Sequence, residues 1–154
     1  MSSRLIVLNE WVLHDLAGDN GGQRQRQANS LLDKFDGASN LLAVPADSQW
    51  MQKLWRLATS PMEAARVCGR KLREIVLDPD RRCLVGKAEV CLLAPELAAK
   101  LPRKDIYLVE TYRAAKADLL VTEDNRLLAA LHDHCPDVKV QTRDDFMRDL
   151  GIRA

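Results

Sequence analysis

The chain is 154 residues long, 47% hydrophobic and 29% charged, with a formal net charge of +1. That length suits a single domain over residues 1–154, large enough to hide about two thirds of its unfolded surface. The mixture excludes a disordered polyelectrolyte and lacks the overall positive excess of many nucleic-acid binders, so any such role rests on local basic patches.

Four cysteines, at 68, 83, 91 and 135, form no CxxC pair. They read as reduced, mostly buried thiols of a cytoplasmic protein. The first apolar run is too short for a signal peptide or a membrane span, so no membrane partner is expected.

In chain order, "RLIVL" (Arg4–Leu8) is an apolar, β-branched run of the kind that forms a buried strand. A short helix follows, opened by Asn9 and closed by Gly18. After the turn "DNGG", "QRQRQANSLLDKFDG" is amphipathic, with Ala28, Leu31, Leu32 and Phe35 near one face. "NLLAVP" (Asn40–Pro45) is a second strand closed by proline. "ADSQWMQKLWRLATS" is a helix with Trp50, Met51, Leu54 and Trp55 expected to face inward. Pro61, at a tolerated first turn, starts a helix running to about Leu77. "DPDRR" breaks it. In "CLVGKAEVCLLAPELAAKLP" strand and helix tendencies compete.

"KDIYLVETYRAAK" is a helix, "DLLV" a third clear strand, "EDNRLLAALHDHC" a helix, "VKV" a fourth strand and "RDDFMRDLG" a closing helix. This alternation predicts an α/β fold: a three-layer α/β/α sandwich around a central, mainly parallel sheet. In such folds ligands gather outside the carboxyl ends of the strands. Those ends are Asn9–Glu10, Pro45–Ser48, Thr122–Asp124 and Thr142–Asp144.

Two acids stand out as candidates for chemistry, one at a strand end and one at a helix start. Asp124 lies just past the apolar run Leu119–Val121, two residues after Thr122, and Asp105 opens the preceding helix. Carboxylates crowded at one sheet edge repel one another, and a hard divalent cation, Mg²⁺ or Mn²⁺, keeps them ionised. Such an ion orients water and stabilises charge on a phosphodiester oxygen. The Thr122 hydroxyl is suited to fixing a carboxylate. The plainer alternative is that both aspartates cap their helices; the two roles are compatible.

The stretches "RLIVLNEWVL", "KDIYLVETYRAAKADLLVTEDNRLL" and "VKVQTRDDF" together resemble the PIN-domain family of metal-dependent ribonucleases, over nearly the whole chain. The resemblance implies a PIN-like sheet and a site that hydrolyses RNA phosphodiesters with Mg²⁺ or Mn²⁺. Asp105 falls on the family's helix-starting acid, Asp124 on the acid after the strand, and Thr122 on the threonine of "VTED"; both acids are implied metal ligands. The departures are two. Asn9 stands at the family's first aspartate, and Gln52 is the nearest match to its second acid, so both nominal acids are amides. Glu10, Asp15 and Asp47 are the candidates to restore charge, with Glu10 beside Asn9 as part of the catalytic set. A relative that has lost catalysis and binds protein or RNA without cleavage is the alternative. Small PIN-like nucleases are often dimers and many are toxins held by an antitoxin, so the resemblance also implies RNA, a homodimer or a protein partner.

Other signals are weaker. His132, His134 and Cys135 contain zinc-type ligands, but residues two apart on a helix do not face the same way, and a histidine-stabilised helix end is the simpler reading. Basic residues cluster at Arg24–Arg26, at Arg70, Lys71 and Arg73, at Arg81–Arg82 and at Arg103–Lys104. The last pair is best placed for a phosphate backbone. Neither a GxxxxGK[ST] loop nor a GxGxxG fingerprint is present, which leaves ATP hydrolysis and nicotinamide chemistry without support.

Overall fold

A computed structural model describes residues 3–153. Five strands, β1 (Arg4–Leu8), β2 (Asn40–Pro45), β3 (Arg82–Val85), β4 (Leu119–Thr122) and β5 (Val140–Thr142), form one sheet in the order β3-β2-β1-β4-β5. Every neighbouring pair is parallel; Ile6 sits opposite Leu119 on one side, and Arg4 opposite Asn40 on the other.

The inner strands β1, β2 and β4 read as nearly unbroken apolar runs because both faces of the sheet are covered there. Ile6, Leu8, Leu42, Val44 and Val121 point to one face. There they meet α1 (Trp11–Ala17), α2 (Gly22–Leu32), α3 (Gln49–Ala58), α4 (Glu63–Leu77) and α8 (Arg143–Asp149). Val7, Ala43 and Leu120, the residues between, point to the other face. They pack under α6 (Ile106–Ala115) and α7 (Asn125–His134), with Leu97 and Ala98 of α5 (Pro95–Ala98) at the margin. The expected three-layer α/β/α sandwich is therefore the architecture of the molecule.

Two features of the larger layer matter later. A Cβ on Gly69 of α4 would lie 2.6 Å from the Ala58 nitrogen and 2.7 Å from the Leu57 carbonyl carbon at the end of α3. Only glycine lets the two backbones approach this closely. Behind α1, Asp15 is fully buried at 0% exposure. It accepts hydrogen bonds from Arg143 Nε (2.7 Å) and Asn20 Nδ2 (2.7 Å) and pairs with Arg24 Nε at 3.1 Å. Arg143 also donates to Gln27 Oε1 at 2.8 Å and lies over the Trp11 ring. The network ties α1, α2 and α8 together, so Asp15 does not supply charge to the strand ends.

Several expectations are corrected. Trp55 is 41% exposed, because the buried stripe of α3 runs through Trp50, Leu54, Leu57 and Ala58 and position 55 lies off it. The fourth helix starts at Glu63, two residues after Pro61. The ambiguous 83–100 region holds β3, a 3₁₀ turn over Lys87–Glu89 and the one-turn α5. The last strand starts at Val140, not at Val138. Cys68 and Cys135 are buried, but Cys83 is half-buried and Cys91 exposed; all four are free thiols. Among the described residues, no helix is long and apolar enough to cross a membrane.

Candidate functional site

The chain runs outward from β1 through β2 to β3, then crosses to β4 on the opposite side of β1. The carboxyl ends of β1 and β4 thus flank the point where the strand order reverses, the place where such sheets open a crevice. A cavity of about 800 Å³ lies there. Asn9, Glu10, Asp105, Thr122 and Asp124 all line it. Residues separated by more than a hundred positions in sequence are brought together by the β1–β4 pairing, in which Asn9 N donates to Val121 O at 3.0 Å.

Asp124 does what a helix cap does. Its Oδ1 accepts from the N–H of Arg126 at 2.9 Å and of Leu127 at 3.3 Å, the first free donors of α7. Its Oδ2 lies 3.4 Å from Lys104 Nζ. Partial burial opposes ionisation, but the Leu127 and Arg126 N–H groups and Lys104 outweigh it and hold the carboxyl below its ordinary range.

Asp105 does not cap. It ends the 3₁₀ turn Arg103–Asp105 and stands at the cap position of α6, yet its side chain makes no capping hydrogen bond. It is 2% exposed, and Oδ2 has no hydrogen-bond partner. Burial first, then the charge of Asp124, push its carboxyl up to about 6, against the pull of Lys104. The capping reading therefore covers Asp124 and fails for Asp105.

Thr122 is buried and its Oγ1 accepts twice, from Asn9 Nδ2 at 2.8 Å and from Asp124 N at 3.1 Å. It fixes the start of the loop that carries Asp124. Asn9 Oδ1 accepts from Glu10 N at 2.6 Å. Both polar ends of the amide are thus engaged within the protein, and Asn9 acts as a brace between β1 and β4.

Glu10 faces the cavity, and its charge contributes to raising the Asp105 carboxyl. Oε2 accepts from Gln49 Nε2 at 2.6 Å and from the Tyr107 hydroxyl at 2.9 Å, and Oε1 is ion-paired with Lys53. Burial opposes ionisation of Glu10, but these partners prevail and lower its carboxyl; burial and Glu10 in turn push the Tyr107 phenol up. The expected counterpart on α3, Gln52, is exposed and does not line the cavity. Gln49 and Lys53 do, four residues apart on one helix face. They went unnoticed in the sequence together with Tyr107. The signal was present, since Ser48 caps α3 through Met51 N and so places Gln49 and Lys53 on its first turns.

The other acids and the histidines take different places. Asp118 accepts from Leu5 N at 2.8 Å at the amino ends of β4 and β1, away from the cavity. Glu123 sits on the cavity rim, paired with Arg24. Asp47 lines a neighbouring cleft. His132 and His134 are exposed at the end of α7.

The donors suit a hard cation in kind: two carboxylates from different elements, one with a buried oxygen that nothing satisfies. They are fewer than a closed protein cage needs. Among the described residues, no group of three or more His, Cys, Asp or Glu side chains is arranged to hold a metal ion. Glu10, the third acid, is drawn toward Lys53, Gln49 and Tyr107. Comparison of this chain with protein-family models, with curated proteins and with solved structures returns no match.

Proposed function

We propose that the protein is a PIN-like ribonuclease that uses Mg²⁺ or Mn²⁺ to hydrolyse RNA phosphodiesters at this cavity. One observation carries the reading: the Asp105 carboxylate is buried beside Asp124, lacks a partner for Oδ2 and is left without a capping role. A buried acid with an unmet need for positive charge is costly to keep and is characteristic of functional sites. Asp105 and Asp124 would hold the cation, and the chemistry it supplies is activation of water and neutralisation of charge on phosphodiester oxygens. Thr122 sets the position of Asp124. Asn9 holds Thr122, and Glu10 orients Tyr107 and Lys53 around the opening. Lys104, exposed on the rim, is placed to meet a phosphate. With two protein carboxylates, phosphate oxygens of the substrate complete the coordination, so binding is weak without RNA.

A second reading has its own support. Asn9 is locked in neutral hydrogen bonds, and lysines stand beside Glu10 and Asp124. That pattern favours a PIN-like module that has lost cleavage and binds RNA or a protein partner, an antitoxin or a second copy of the chain. Calorimetric titration of Mn²⁺, followed by cleavage of labelled single-stranded RNA, separates the two. The nuclease reading expects metal-dependent cleavage that disappears in the Asp105→Asn/Asp124→Asn double variant while circular dichroism stays unchanged. RNA left intact at millimolar Mn²⁺ and Mg²⁺ overturns it and favours the non-cleaving module.

A further inference from the structure

A second cleft of about 550 Å³ opens beside the carboxylate cavity, past the carboxyl ends of β2 and β3. Its apolar walls are Val85, Val90 and Leu92 on one side and Ile106 and Tyr107 of α6 on the other. Lys87, Arg103 and Lys104 stand in its lining with two acids, Asp47 after β2 and Glu110 on α6. Gln49, Lys104 and Tyr107 link it to the carboxylate cavity. The first two line both spaces, and the third reaches Glu10 through its hydroxyl.

We propose that this cleft takes one nucleobase of a single-stranded RNA, that the adjoining phosphate enters the carboxylate cavity, and that Glu110 selects guanine. The proposal rests on RNA being the occupant of that cavity and adds which nucleotide is read beside it. The volume is within the range of small-molecule sites, about 300–1,000 Å³. An apolar slot with an aromatic wall suits the flat face of a base, and a base reaches such a slot only from an unpaired strand. The Tyr107 ring is preset for this, because its hydroxyl is fixed on Glu10 at 2.9 Å. Leu92, 84% exposed, offers the cleft an apolar side chain that is largely open to solvent. The three basic residues supply the charge that a phosphate backbone requires.

Selectivity follows from Glu110. Its Oε2 accepts from Leu93 N at 3.2 Å, which steadies the carboxylate against α6 and ties it to the 86–93 segment. An ionised carboxylate only accepts hydrogen bonds. Guanine offers two adjacent N–H donors on its pairing edge and matches both oxygens. Uracil offers one N–H between two carbonyl oxygens, which the carboxylate repels.

The test is fluorescence anisotropy with labelled uridine hexamers carrying A, C, G or U at one central position. The Asp105→Asn/Asp124→Asn double variant serves as the parent protein, so that no metal-dependent cleavage intervenes and the phosphate meets no uncompensated pair of carboxylates. The guanine hexamer should bind about tenfold tighter than the all-uridine one, as expected for a carboxylate reading two donors. Glu110→Gln, which keeps an acceptor for Leu93 N, should bring that preference below about threefold. Leu92→Ser should weaken all four hexamers alike. Equal affinities, a guanine preference that survives Glu110→Gln, or tighter capture of an acidic peptide than of any hexamer would overturn the proposal, as would no binding at all. Guanine-selective binding without metal-dependent cleavage keeps the cleft and removes the nuclease. Cleavage indifferent to the base and to Glu110 does the reverse.

Discussion

Asp15 and Asp105 are both buried aspartates, one behind α1 and the other at the ends of the central strands, and they live in opposite electrostatic conditions. Asp15 meets Arg143, Arg24 and Asn20, so its charge is answered from three directions. Asp105 has Lys104 nearby but also Asp124 and Glu10, and one of its oxygens bonds to nothing. A buried charge that the fold has satisfied is a structural joint. A buried charge left unsatisfied is either a defect or an invitation to a ligand, and here it lies in a cavity at the switch point of the sheet.

The sharpest way to test this contrast is to remove each carboxylate in turn. Asp15→Ala leaves the Arg143 guanidinium buried without its partner and should cost about 3–5 kcal/mol in urea denaturation. A loss below about 1 kcal/mol would mean that the joint carries no load.

Asp105→Asn should act in the opposite direction. The Asp105 carboxyl titrates near 6 in the folded chain, against 3.8 ordinarily. The folded state therefore prefers the neutral form. That contribution is fully present below the ordinary value and is lost as pH rises through the folded one. In metal-free buffer near neutral pH, Asp105→Asn should gain roughly 1–3 kcal/mol, with little gain in acid. Urea midpoints collected from acidic to neutral pH give the answer, and a variant destabilised at every pH would erase the distinction between the two aspartates.

The smallest effect belongs to Asp124, which shares both characters. Asp124→Ala loses the cap of α7 and should cost about 0.5–2 kcal/mol, whereas Asp124→Asn, an equally good cap, should cost a few tenths. Thermal melts of the pair separate the cap from the charge, because the asparagine keeps the first and loses the second.

Much of this arrangement was written locally. "RLIVL" and "DLLV" declare buried strands because alternate residues feed different cores, as Val7 and Leu8 do. Thr122 and Asp124 declare the start of a helix by spacing alone. What local pattern could not convey is which partner a side chain finds across the fold. Nothing near Asp15 announces Arg143, 128 positions away, and nothing near Glu10 announces Tyr107, 97 positions away. The PIN-like likeness directed attention to Gln52, while the helix turns Gln49 and Lys53 toward the cavity instead. Trp55 is large and apolar but lies off the buried stripe of α3, so its angle on the helix leaves it exposed. The short edge strand β3 lacks the continuous apolar run of the inner strands, since only Val85 in it is buried.

The absence of a side chain at Gly69 has a reach beyond its own helix. The backbone of α3 rests directly on that position, and the other end of α3 carries Gln49 and Lys53 to the mouth of the cavity. A single methyl group there would act as a wedge under a lever, with Ala58 at the short arm and the counter-charge of Glu10 at the long one. Gly69 thus bears on the cavity only through α3, at the Leu57–Ala58 end of a helix whose first turns line the opening.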